Sequence, residues 1–192
     1  MNKHKHGFTL VEIMIAVIVI AILAAIGAAS YASYTVRARN TARATAAKSY
    51  IDILGAMYGR DPSVPYQKNT SGSDIRFCLG TWFSDVNANG VGDCYVLDST
   101  NALFSSVDST RNTSMQAINP QLPDSPHQVI IGTNGKSYIG PVAVIKASDG
   151  MPWVRYMQET AGTSTCPFGS TVTPTLDSKV LVCEDIVTVS AP

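Results

Sequence analysis

The chain has 192 residues, of which 45% are hydrophobic and 15% charged, with fourteen basic and fourteen acidic side chains. That length holds one domain of ordinary size plus an attachment, and the composition excludes a disordered or collagen-like chain. A zero net charge with no basic block gives no indication of nucleic-acid binding through phosphates. The charges are nonetheless uneven, because Met1 to Lys48 carries six basic residues and only one acidic residue, Glu12.

Met1 to Gly7 is short, polar and basic. Phe8 to Val36 then runs with Glu12 as its single charge, and Ile13 to Ala29 has no charged or strongly polar side chain. A helix needs about 20 apolar residues to cross a hydrocarbon core of roughly 30 Å, and this run meets that length. Three readings compete: a cleaved secretory signal, a plain membrane anchor, and a segment that does more than anchor. Glu12 decides between them. A carboxylate at mid-bilayer costs about 2.5–3.5 kcal/mol on insertion scales, and a simple signal or anchor gains nothing from it. A buried carboxylate calls for a positive partner.

Gly7-Phe8-Thr9-Leu10-Val11-Glu12 resembles the processing motif of type IV prepilins and type II secretion pseudopilins. The resemblance implies that a prepilin peptidase cuts after Gly7 and methylates the new N-terminus at Phe8. It implies that Glu12 acts in assembly, pairing with the terminal amine of a neighbouring identical subunit. It further implies an inner-membrane platform and an assembly ATPase as partners. The proline that many members carry further along the helix is absent: its place is Ala29, and the first proline is Pro62. Gly27 is the only helix weakener within the apolar run.

Beyond the apolar run, helical character continues to about Gly59. Ala44, Ala47, Ile51, Leu54 and Tyr58 form one apolar stripe at alternating spacings of three and four, as an amphipathic helix requires. Arg43, Lys48, Ser49 and Asp52 fall mostly off it, and Arg37, Arg39 and Arg43 read as membrane-proximal charge. A helix from Phe8 to Tyr58 would be roughly 75 Å long at about 1.5 Å per residue. The organisation expected is a leader at 1–7, a long helix at 8–60 that is transmembrane at about 8–36, and a globular periplasmic or extracellular head at 61–192.

The head is rich in Ser, Thr, Asn, Gly and Pro. Its candidate strands are 75–83, 129–131, 137–145, 153–157 and 180–189, separated by turn signals such as Asn134-Gly135 and Asp149-Gly150. Long loops are expected at about 61–74 and 98–127. The fold class is therefore α+β: a long N-terminal helix packed on a small antiparallel sheet, which the resemblance also implies.

All four cysteines, Cys78, Cys94, Cys166 and Cys183, lie in the head, and none forms a Cys-x-x-Cys pair. Outside the inner membrane they would form disulfides. Of the three connectivities, proximity in the chain favours Cys78–Cys94 and Cys166–Cys183. Each would close a loop worth roughly 3 kcal/mol in the chain-entropy model. The second resembles the disulfide-bounded C-terminal loop of type IV pilins.

Asp85 to Asp93 reads DVNANGVGD. Side-chain oxygens from Asp85, Asn87, Asn89 and Asp93, with the Val91 carbonyl, match the first half of an EF-hand-like loop for Ca²⁺, and Gly90 permits the turn. The twelfth position, ordinarily a bidentate Glu, is Val96. The competing reading is a polar hairpin around Asn89-Gly90. Asn69 and Asn112 each begin an N-glycosylation pattern and read as solvated loop sites.

No catalytic constellation stands out. His127 is the only histidine in the head, and no nucleophile is partnered to it in the sequence. The function expected is structural and non-enzymatic. The chain reads as a subunit, and foremost a major pilin, of a helical type IV pilus filament serving adhesion, motility or DNA uptake. It would be held in the cytoplasmic membrane as a precursor and then displayed on the cell surface. The alternatives are a minor pilin or type II secretion pseudopilin and, more distantly, a monomeric anchored or secreted binding module.

Overall fold

A computed structural model describes residues 9–60, 72–80, 83, 93–96, 103–124, 130–133, 137–148, 150–160, 165–171 and 177–188. By internal contacts the chain divides into two units, residues 1–38 and residues 39–192. One helix, α1 (Leu10–Arg60), contributes to both. Its end agrees with the sequence, since Pro62 cannot continue a helix.

In the second unit the elements after α1 are β1 (Ile75–Cys78), β2 (Asp93–Val96), β3 (Leu103–Ser106), α2 (Ser109–Gln116), β4 (Ile130–Ile131), β5 (Ser137–Tyr138), β6 (Val142–Ile145), β7 (Pro152–Glu159), β8 (Ser170–Thr171) and β9 (Val180–Ile186). The architecture is α+β. Five strands form an antiparallel sheet in the order β1-β6-β7-β9-β8, and β2-β3 and β4-β5 form two small ribbons. The long pairing of β7 with β9, from Trp153 opposite Ile186 to Glu159 opposite Val180, is the spine of the sheet.

Both faces of this sheet are covered. Phe77, Ala143, Ile145, Val154, Tyr156, Leu181 and Cys183 face one core with Ala44, Ala47, Tyr50, Ile51, Leu54 and Met57 of α1. Cys78, Val142, Val144, Met157, Val180 and Val182 face a second core with Phe83, Cys94, Ile130, Tyr138 and Ile139. This double burial explains why β6 and the start of β9 read as apolar runs without alternation. Near one end of the second face, Arg155 donates to Glu184 at 2.8 Å, and Lys146 lies 3.5 Å from the same carboxylate.

Several expectations are corrected. The apolar face of α1 is wider than one stripe, because Ala46, Tyr50, Ile53 and Met57 are buried as well as Ala44, Ala47, Ile51 and Leu54. The strand expected over 75–83 stops at Cys78. Gly80 has φ +118, a backbone state that suits glycine, and the buried Asn112 amide grips it, donating to its carbonyl at 2.8 Å and accepting its N–H at 3.3 Å. The strand expected over 137–145 is divided at Gly140-Pro141, where proline has no N–H to give a ladder.

The loop expected over 98–127 contains β3 and α2. Helix α2 has a polar sequence, but Asp108 caps it by accepting the Arg111 N–H at 2.9 Å. It then buries Asn112 and Met115. Asn112 is therefore not the solvated loop site its glycosylation pattern suggests: it is 2% exposed, and both ends of its amide are engaged.

Candidate functional site

The first unit is a bare apolar helix. Leu10, Val11, Ile13, Met14, Ile15, Val17 and the large apolar side chains through Ile26 are all exposed. By length and composition this helix can cross a membrane. No core of its own covers these side chains, so burial must come from an apolar surrounding. Two of its hydroxyls bond within the helix, Ser30 Oγ donating to the Ile26 carbonyl at 3.1 Å and Thr35 Oγ1 to that of Ala32 at 2.9 Å. That is how such groups avoid a penalty in lipid. Helical structure runs without a break through Gly27 to Ser30.

Thr9 and Glu12 form the start of this helix. The Thr9 backbone N–H and hydroxyl both donate to Glu12 Oε2, at 2.8 and 2.9 Å, and the Glu12 N–H donates to Thr9 Oγ1 at 3.3 Å. This is a capping box, in which side chains at either end of the first turn satisfy each other's backbone donors. The sequence signal is Thr9 followed three residues later by Glu12. Gly7 and Phe8 lie outside the described residues.

The second unit begins with a polar cluster. Arg39 donates from Nε and Nη2 to the two carboxylate oxygens of Glu159 at 3.0 and 2.9 Å, and Arg43 Nη1 donates to Oε1 at 3.0 Å. Asn40 bonds the backbone of the same residue, accepting the Glu159 N–H at 3.0 Å and donating to its carbonyl at 2.8 Å. Arg39 and Arg43 therefore have a carboxylate partner within the head unit and are not simply membrane-proximal charge. Burial alone would push the Glu159 carboxyl up, but the hydrogen bonds and charges of the two guanidinium groups outweigh it and hold it below the usual value. Burial lowers the Arg43 guanidinium, with Glu159 partly compensating.

The cysteines pair as Cys78–Cys94 and Cys166–Cys183. The first joins β1 to β2, and the second joins the start of the C-terminal loop to β9. That loop is seated on the sheet by a compact set of contacts. The Phe168 ring stacks on Tyr156 at 4.8 Å, and the Tyr156 hydroxyl donates to the Phe168 carbonyl at 3.0 Å. Gly169 has φ +69, and a Cβ there would lie 2.2 Å from the Glu184 carbonyl oxygen. Ser170 and Thr171 then pair with Glu184 and Cys183. At the far end of the loop, Asp177 accepts from the Thr133 hydroxyl at 2.8 Å and from the Lys179 N–H at 2.7 Å.

Of the calcium-loop residues, Asp85, Asn87, Asn89 and Val91 lie outside the described residues, and only the backbone of Asp93 is described, as the first residue of β2. His127 also lies outside them. Among the described residues no three His, Cys, Asp or Glu side chains are grouped to hold a metal ion.

Residues 2–28 match the family model described as the prokaryotic N-terminal methylation motif. No solved structure matches the chain significantly.

Proposed function

We propose that this chain, whose residues 2–28 carry the prepilin-type methylation motif of type IV pilins and pseudopilins, is a structural subunit of a type IV pilus. One observation carries this reading: the methylation motif covers the start of a bare apolar helix whose only charge over residues 8–36 is Glu12. Residues 1–7 are the leader, and a prepilin peptidase cuts between Gly7 and Phe8 and methylates Phe8. The helix then holds the precursor in the cytoplasmic membrane over about residues 8–36, with residues 61–192 as the head outside it. During assembly, driven by a membrane platform and its ATPase, the apolar side chains exchange lipid for the helices of identical subunits. That exchange keeps them out of water throughout. The Glu12 carboxylate exchanges its Thr9 donors for the ammonium of a neighbour, whose attraction in low dielectric offsets the desolvation of both groups. The product is a surface filament, and the role is structural with no catalysis.

The head favours a pilin of the filament body. Two disulfides cross-link the head, and β8 ties the C-terminal loop to β9, as suits a protein displayed outside the cell. The Asp85–Asp93 pattern gives weight to a minor pilin or pseudopilin as the second reading, with calcium held by that loop.

The test is Glu12→Ala, compared with wild type in membranes and in the sheared cell-surface fraction. The filament reading expects full-length precursor at normal abundance and a loss of surface filaments. A monomeric anchored module expects no change beyond somewhat better membrane insertion. Normal surface filaments from Glu12→Ala would overturn the assembly role given to that carboxylate.

A further inference from the structure

The first turn of the second unit is fastened differently from the rest of its helix. Ala44 is the first apolar side chain of α1 to be buried among the described residues. Between Arg39 and Arg43, Thr41 and Ala42 are exposed, and the turn reaches the sheet through Arg39, Asn40 and Arg43. These polar contacts converge on the last two residues of β7. Glu159 receives both arginines on its carboxylate and Asn40 on its backbone, and Gln158 Nε2 adds a bond to the Asn40 carbonyl at 3.4 Å. Arg43 also donates to Asn40 Oδ1 at 3.1 Å, which ties the two halves of the cluster together.

We propose that Glu159 is a latch, fastening residues 39–43 of α1 to the sheet so that this turn can open by itself while the apolar packing from Ala44 onward stays closed. The physical basis is a difference in kind. The packing from Ala44 to Met57 is apolar burial spread over many side chains and is lost only with the core. The latch is a small set of directed bonds: charge-assisted ones from Arg39 and Arg43 to the Glu159 carboxylate, and neutral ones between Asn40 and the Glu159 backbone, coupled through the Arg43 bond to Asn40. Arg39 is 28% exposed and Glu159 23%, so water reaches their ion pair, whereas Arg43, 5% exposed, meets water only as the turn opens. Release would move the start of the packed helix from Arg39 to Ala44, adding five residues, about 7.5 Å, to its unpacked part. In a filament this would be an adjustable length of helix before the head. That use rests on the pilus reading, whereas the latch itself does not.

The experiment is hydrogen exchange followed by mass spectrometry on the full chain in detergent, so it needs no filament. Wild type is compared with Glu159→Gln, which removes the charge, and with Asn40→Ala, which removes the backbone half. The 39–43 amides keep their helix bonds when the turn undocks, so the reporter is the Glu159 N–H held on Asn40 Oδ1: the latch predicts that its exchange rises about tenfold in Glu159→Gln as well as in Asn40→Ala, while β6, β9 and the rest of β7 stay protected. Unchanged exchange of the Glu159 N–H in Glu159→Gln would overturn it. So would an equal rise through the sheet, which would make the cluster part of the global fold. Filament yield from the same variants is a separate measurement, and its failure would bear on the pilus reading alone.

Discussion

Replacing Tyr50 tests the packing that the sequence pattern did not anticipate. Tyr50 is off the expected stripe, yet it is fully buried against the sheet, and its hydroxyl donates to the Pro123 carbonyl at 3.0 Å. Tyr50→Phe keeps the ring and removes that bond, leaving the Pro123 carbonyl short of a partner. The expected loss is about 1–1.5 kcal/mol. Tyr50→Ala also removes the ring and leaves a cavity, for a loss of about 3–5 kcal/mol. For a unit of this size, each kcal/mol lowers Tm by roughly 2–4 °C. Thermal unfolding of the full chain in detergent, followed by near-ultraviolet circular dichroism, should therefore show a drop of about 2–6 °C for Tyr50→Phe and a far larger one for Tyr50→Ala. A neutral result for both would mean that this face of α1 is not under the head, and the two-stripe packing would be wrong.

Alkaline pH should destabilise the head. Burial raises both the Tyr50 and Tyr156 hydroxyls above the usual value of about 10. The folded state thus favours their protonated forms, and the associated stability is present below about pH 10 and lost as pH rises beyond it; denaturation midpoints between pH 8 and 11 should fall, and fall less in Tyr50→Phe. Gly169→Ala should detach β8 from β9, because the new methyl meets the Glu184 carbonyl at 2.2 Å and alanine disfavours φ +69; faster exchange over 168–171 with the rest of the sheet protected is the expected outcome. Calcium should raise the Tm of the wild-type chain and not that of Asp85→Asn/Asp93→Asn if the DVNANGVGD loop binds it; equal Tm with calcium and with chelator would leave that segment a polar hairpin.

The fold was legible where one force dominated. The long apolar run with its lone carboxylate specified the bare helix. Pairing by proximity suited Cys78–Cys94 and Cys166–Cys183, because each pair spans two segments that lie side by side in the folded head. The sequence was less informative where polar residues build structure. Ser109–Gln116 lacks an apolar period, and its helix depends on the Asp108 cap and on Asn112 holding Gly80. Arg43 reads as membrane-proximal charge in the sequence because its partner, Glu159, is 116 residues away, and no local pattern carries that distance. Tyr50 and Met57 were missed because a single stripe was expected, whereas the head covers a wider arc of the helix.

The most direct test of the pilus account is mass spectrometry of the N-terminal peptide from a sheared cell-surface fraction. The account predicts a chain that begins at N-methylated Phe8 and is recovered in filaments. A chain beginning near Ser30, or an intact Met1 confined to the membrane, would contradict it.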